Sequence, residues 1–242
     1  MRLDKFLADA DIGSRSQVKE LLKKKQILVN GTVEKSPKYQ VDLLNDQITY
    51  QGQHLSYEKF VYYMLNKPAG FLSATEDANE LTVIDLLDDN AKKKSVFPVG
   101  RLDKDTHGLL LLTNNGQLAH ELLSPKKHVS KDYVALVSGI MTSEDQEYFA
   151  KGISLKDHHC LPARLEILSK DEEDATCRVR IQIKEGKFHQ VKRMVAACGK
   201  KVIDLQRITM WPLVLDSQLA KGQYRPLSKD ELRSLSPCCD HL

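Results

Sequence analysis

The stretch VGRLDKDTHGLLLLTNNG, residues 99–116, sets one carboxylate at the mouth of an apolar run. Asp103 follows Gly100, Arg101 and Leu102, has Lys104 behind it, and precedes four consecutive leucines, Leu109 to Leu112. A carboxylate held between cations can add to an electrophilic carbon or accept a proton. It can equally be a turn acid that hydrogen-bonds its own backbone before a strand, a task for which Asp105 is the natural candidate. The residue types leave both readings open. Other reactive groups are poorly spaced. His120, His128, His158, His159 and Cys160 follow neither a Cys-x-x-Cys nor a His-Glu-x-x-His pattern, so no metal is expected. No G-x-G-x-x-G or phosphate-loop motif occurs, so no cofactor is expected either.

The elements predicted around Asp103 are short strands and helices. LLLLT (109–113) reads as a strand stopped by Asn114-Asn115-Gly116, and QLAHELL as the helix that follows. Upstream, FVYYMLNKPAG (60–70) is a buried-strand run that ends at Lys67-Pro68. Downstream, YVALVSG (133–139) reads as a strand, SEDQEYFAKG (143–152) as a helix capped by Ser143, and CRVRIQIK (177–184) alternates with period two. In HQVKRMVAACG (189–199), Val191, Met194, Val195 and Cys198 recur at helical spacing and Gly199 stands at the C′ position. Lys192 and Arg193 fall off that stripe. Without a regular βαβ alternation, the pattern predicts an α+β domain with a mixed, largely antiparallel sheet and flanking helices.

The first part of the chain is organised differently. Leu3, Phe6, Leu7 and Ala10 recur at helical spacing until Gly13, and a second helix begins at Ser14 with Val18, Leu21 and Leu22 on one face. Asn30-Gly31 between β-branched residues predicts a hairpin, and DQITYQG supplies another short strand. Arg2, Lys5, Arg15 and Lys19, with Lys23 to Lys25 behind them, would give the helix pair a positive face. The pattern restarts near residues 56–59, which divides the chain into a small domain (1–58), a large domain (59–235) and a tail (236–242).

The totals agree with this division. A chain of 242 residues with 41% hydrophobic side chains can bury a sizeable core. A formal charge of +3 announces no polyanion by itself, so the distribution of charge must do so. Five cysteines without repeated spacing make no disulfide framework, and no run of 18 apolar residues exists to span a membrane. The N-terminal MRLDKFLADAD lacks the apolar stretch of a signal peptide. A cytoplasmic protein with free thiols, acting as a monomer, is expected.

Two resemblances sharpen these readings. The order RLDKFL, SRSQVKELL, ILVNG, DQITY resembles the S4 RNA-binding module, a helix-helix-hairpin unit that grips structured RNA by shape and phosphate contacts. The segment GRLD…GLLLLTNNG is similar to the signature of the pseudouridine synthases. LNKPAG (65–70), KDYVA (131–135) and EGKFHQVKRMVAACGKKVIDLQRITM (185–210) resemble further motifs of that family. MRLDKFL, YYMLNKP, EGKFHQVKRM and KGQYRPLSKDEL favour its RsuA branch, which acts on small-subunit ribosomal RNA, and the likeness runs from Met1 to about Leu235. RITMWPLVL departs from the pattern where a glycine often follows the Ile-containing segment, which touches local loop contacts and not the chemistry.

The resemblance implies a pseudouridine synthase fold and a role for each matching residue. Asp103 is then the catalytic carboxylate, Lys192 the cation that keeps its charged form favoured in a partly desolvated place, and Tyr133 the ring against the uracil. Arg101 locks the catalytic loop or holds the phosphate of the flipped nucleotide, while Lys67, Arg193 and Arg207 join Arg2, Lys5, Arg15 and Lys19 as RNA contacts. The implied substrate is a uridine of 16S ribosomal RNA, uridine 516, presented by an assembling small subunit. Two rivals share part of this equipment. A synthase of 23S ribosomal RNA would use the same site and differ in the uridine it modifies. A non-catalytic assembly factor would keep the basic module and have no need of the acid with its tyrosine and lysine.

Overall fold

The computed structural model describes residues 1–10, 12–43, 45–55 and 60–235. The chain divides into two compact units, Met1–Phe60 and Val61–Leu242. Residues 56–59, where the sequence pattern restarts, and the tail 236–242 lie outside the described residues.

The first unit opens with α1 (Leu3–Asp9) and α2 (Arg15–Lys23). A reciprocal capping box starts α2: the Ser14 amide donates to Gln17 Oε1 at 2.8 Å and the Gln17 amide to Ser14 Oγ at 3.4 Å. Leu3, Phe6, Leu7, Val18 and Leu22 bury their side chains against a small sheet. Its strands are β1 (Ile27–Val29), β2 (Thr32–Val33), β3 (Ile48–Tyr50) and β4 (Gln53–Leu55), in the order β2-β1-β3-β4 with every pair antiparallel. Asn30 and Gly31 both take positive φ, as a tight hairpin turn of this twist requires. Gln51 and Gly52 repeat the device and add β4, a strand the sequence pattern does not single out.

The second unit contains β5 (Tyr62–Lys67), α3 (Asp89–Lys93), β6 (Phe97–Pro98), β7 (His107–Thr113) and α4 (Gly116–Leu123). It continues with β8 (Lys131–Ser138), α5 (Ser143–Lys151), β9 (Arg164–Asp171), β10 (Thr176–Ile183) and α6 (Gln190–Ala197). Then follow β11 (Lys201–Met210), β12 (Leu213–Val214), β13 (Tyr224–Pro226) and α7 (Lys229–Leu235). The main sheet runs β13-β5-β7-β11-β8-β10-β9; β7 and β11 are parallel and their neighbours antiparallel. It is the mixed, largely antiparallel sheet that the pattern predicts.

The unbroken leucines of β7 have a packing reason. Leu110 and Leu112 join the core that contains Val179, Ile181 and the α6 residues Val191, Met194 and Val195. Leu109 and Leu111 point to the other face, into the core formed with Met64, Leu118 and Leu122. A strand covered on both faces needs apolar side chains at every position. One cap differs from expectation. Thr142, and not Ser143, caps α5, because its Oγ1 accepts from the Asp145 amide while Asp145 Oδ2 accepts from the Thr142 amide, closing the box one residue earlier. Among the described residues no helix is long and apolar enough to cross a membrane.

Candidate active site

Asp103 precedes β7 by a short turn, and the parallel pairing of β7 with β11 determines where that turn lies. Gly108 sits opposite Arg207 in this pairing, and Arg207 sits opposite Tyr133 of β8. At φ +105°, Gly108 holds a conformation that L side chains rarely adopt, and a Cβ there would lie 2.2 Å from the Arg207 carbonyl oxygen. Glycine is therefore what allows β11 and β8 to close on the mouth of the leucine strand.

The turn itself is held by Lys67. This side chain is fully buried. Its Nζ donates to the carbonyls of Pro68 (3.1 Å), Asp103 (3.2 Å), Lys104 (3.3 Å) and Thr106 (2.9 Å). Burial pushes its pKa down to about 8, against the pull of Asp105 and Asp103. Ser73 adds a second tie, exchanging hydrogen bonds of 3.0 Å with both the amide and the carbonyl of Leu102. The expectation that Lys67 touches RNA is corrected here: a fully buried lysine enclosed by the Asp103–Thr106 turn has no surface to offer a phosphate. Nothing local in LNKPAG reveals this, because three of the four carbonyls lie 36 to 39 residues away in sequence.

The facing group comes from α6. Lys192 Nζ lies 3.0 Å from Asp103 Oδ2 and 2.5 Å from Asp105 Oδ1. Burial disfavours its charge, yet the hydrogen bonds it donates to these two carboxylates outweigh burial and leave its pKa above the ordinary lysine value. The same bond holds Asp105 below the ordinary carboxylate range. Asp105, read in sequence as a turn acid, is thus a second partner of the site cation. His189 Nε2 approaches Asp103 Oδ1 at 3.6 Å, from a residue with φ +48° at the start of α6. The Phe188 ring stacks on it at 3.8 Å and 18° while remaining 73% exposed. Sequence reasoning singled out neither His189 nor Phe188, although both lie inside the quoted EGKFHQVKRM motif.

Asp103, Tyr133 and Lys192 line one cavity of about 340 Å³, within the size range of small-ligand sites. Tyr133 is buried, so its ring is fixed by the sheet. Arg101 is exposed and also lines the cavity. Lys131, at the start of β8, shares the lining and is pushed down to about 8, first by burial and then by the nearby Arg207 guanidinium. Arg207 is only 2% exposed and donates from Nε to the Leu109 carbonyl at 2.8 Å, so it braces β7 instead of reaching for an RNA backbone outside the cavity. Arg193 is ion-paired with Asp157. In the first unit, Lys5, Arg15 and Lys19 are exposed, and Arg2 pairs with Asp4 at 2.6 Å. The cavity thus offers a carboxylate beside an ammonium group, an aromatic wall and a cationic lining. That arrangement suits nucleophilic or base chemistry on a planar, anion-bearing ligand.

Comparisons with known proteins point the same way. The profile of the RNA pseudouridylate synthase family matches residues 61–197, and that of the S4 domain matches residues 1–48. A Bacillus subtilis protein called uncharacterized RNA pseudouridine synthase YtzG is 44% identical over 237 residues, 98% of each chain. Ribosomal small subunit pseudouridine synthase A of Yersinia pestis is 38% identical over 240 residues, covering 97% of this chain and 98% of that one. The protein of the same name from Escherichia coli is 36% identical over 238 residues, covering 97% and 100%. A crystal structure of a pseudouridylate synthase superposes with a TM-score of 0.67 at 37% identity, covering 97% of this chain and 99% of the other.

Proposed function

The chain belongs to the RNA pseudouridylate synthase family, with an S4 domain ahead of its synthase domain, and from that premise we propose that it converts uridine 516 of 16S ribosomal RNA to pseudouridine. The observation that carries the assignment of roles is the meeting of Asp103, Lys192 and Tyr133 in one cavity, with 3.0 Å between the carboxylate and the ammonium group. The reaction breaks the bond from N1 to C1′, turns the uracil and joins C5 to C1′. The proton lost from C5 is matched by one gained at N1, so nothing is consumed and no cofactor is needed. Asp103 adds covalently to an electrophilic carbon, or takes a proton from C2′ to give a glycal. Lys192 supplies the positive charge beside it, and Tyr133 gives the freed base a surface to lie against while it turns.

The uridine must leave its stack to reach Asp103, at a cost of a few kcal/mol that is smaller in a loop or bulge. Phe188, exposed beside the cavity-lining His189, offers an aromatic face to a base at the entrance. Lys5, Arg15 and Lys19, with Arg2, hold RNA phosphates through the S4 unit and bring sequence-tolerant affinity. The enzyme works as a monomer in the cytoplasm, on an assembling small subunit. Asp103→Asn tests the core of this reading. The variant is expected to bind substrate RNA within a few-fold of wild type and to release no tritium from 5-tritiated uridine. Near wild-type release would remove Asp103 from the chemistry. Mapping pseudouridines in ribosomal RNA from cells with and without the protein tests the target, which is expected to be lost at position 516 and nowhere else.

A further inference from the structure

Beside the Asp103 group, at one wall of the cavity, the fold assembles a second group of reactive side chains that sequence spacing does not reveal. His158 and Cys160 lie two residues apart in the segment between α5 and β9, and Glu185 lies just beyond the end of β10. A ring nitrogen, a thiol sulfur and a carboxylate oxygen from these residues all fall within 4.8 Å of one another. His158 Nε2 and Cys160 Sγ are 3.5 Å apart. A tetrahedral zinc, with bonds of about 2.3 Å to sulfur and about 2.0–2.1 Å to nitrogen, places two such ligands about 3.5 Å from each other.

The surroundings fit the same ion. His158 Nδ1 lies 3.3 Å from Asp157 Oδ1, so a proton on Nδ1 leaves the Nε2 lone pair directed toward Cys160. A carboxylate behind a histidine in this way is the usual support of a metal-ligating imidazole. Glu185 Oε1 accepts from the Leu161 amide at 2.9 Å and from Gln190 Nε2 at 2.6 Å, which orients the carboxylate. A Cys160 thiolate, Glu185 and Asp157 bring three negative charges, and Arg193, paired with Asp157, brings one positive. A divalent cation balances the remaining two.

We propose that His158, Cys160 and Glu185 form a binding site for Zn²⁺, the cation that thiolate, imidazole and carboxylate together suit, with a fourth position left to water. On binding, the Cys160 thiol gives its proton to solvent and its sulfur bonds the metal, with no change of oxidation state. The ion ties the 157–161 segment to the turn that runs from Glu185 to the start of α6. That turn carries Phe188 and His189, and Glu185 and Leu161 themselves line the cavity, so the clamp braces one wall of it.

Cobalt substitution and zinc titration of the full chain test this. Cys238, Cys239 and His241 could capture metal by themselves, so the starting protein carries Cys238→Ser and Cys239→Ser. That protein, stripped with chelator, is expected to bind one Co²⁺ with a thiolate-to-cobalt charge-transfer band, and zinc is expected to displace the cobalt and raise Tm. Adding Cys160→Ser is expected to abolish the band, weaken zinc binding by about 100-fold and cancel the rise in Tm, while Cys198→Ser changes none of these. Asp157→Asn keeps all the ligands and is expected to weaken zinc about 10-fold. The metal-free circular dichroism spectrum of each variant checks its fold. Absence of the band from the starting protein, or its survival in Cys160→Ser, overturns the proposal.

Discussion

Two lysines reach the Asp103 segment, one from β5 and one from α6, and they serve it in different ways. Lys67 is fully buried and spends its ammonium group on four backbone carbonyls. Lys192 keeps 22% of its side chain exposed and meets two carboxylates. A cation among carbonyls orders a loop without neutralising anything, and burial pulls its pKa down. A cation between carboxylates compensates charge, and its pKa rises despite burial. The residue type is the same; the partners decide whether it positions the Asp103 turn or balances its charge.

The largest test of this contrast is on the α6 side. Lys192→Met should lower kcat about 10³-fold, because Asp103 and Asp105 then share the site without a cation, and should leave the urea midpoint nearly unchanged. A large loss of stability with modest loss of rate would reverse the roles assigned to the two lysines. On the β7 side the expected effects are structural. Gly108→Ala should cost about 3 kcal/mol or more in urea unfolding, since the new methyl group meets a backbone carbonyl and the residue must hold a positive φ.

Lys67→Met should cost about 2–4 kcal/mol, the carbonyls of the loop losing their donor. Its titration gives a sharper signature. The native Lys67 has a pKa near 8, whereas an unfolded lysine titrates near 10.4, so between those values the unfolded chain holds a proton that the native state has released. Relative to Lys67→Met, wild-type stability should therefore rise with pH across that window. Turnover should fall over the same range, because a neutral amine has two N–H groups for four carbonyls. Lys131, also near 8, is the competing source of such a bend, and Lys131→Gln should leave it in place. A wild-type kcat profile that stays flat through pH 9.5 would show that the clamp does not govern turnover.

The smallest effect belongs to Phe188, whose ring meets the site through His189. Phe188→Ala should raise KM roughly tenfold, within the 1–3 kcal/mol of a lost stacking contact, and Phe188→Tyr should restore it. Equal KM in all three would leave the ring without a part in RNA binding.

Much of this molecule is legible locally. The capping box at Ser14, the Asn30-Gly31 hairpin, the leucine strand and the amphipathic α6 all appear where side-chain period and turn chemistry put them, because each depends on neighbours within a few residues. Asp103 stands out in the same way, framed by a glycine turn and an apolar run. Lys67 and Arg207 read as surface cations, since no local pattern distinguishes a lysine or arginine facing solvent from one enclosed by chain that returns dozens of residues later. Asp105 reads as a turn acid, and only the approach of α6 makes it a partner of Lys192.

The amino-acid order thus determined most of the elements around the site, the two-unit division of patterning and the carboxylate most suited to the chemistry. Tertiary structure decided which charges meet. The register of β7, β11 and β8 brings Tyr133 and Arg207 to the Asp103 turn, and the chain path past β10 sets Glu185 beside His158 and Cys160. Short-range period and capping act through bonds made within a turn or two of chain, whereas ion pairs and buried donors depend on distances in space that no spacing in sequence encodes.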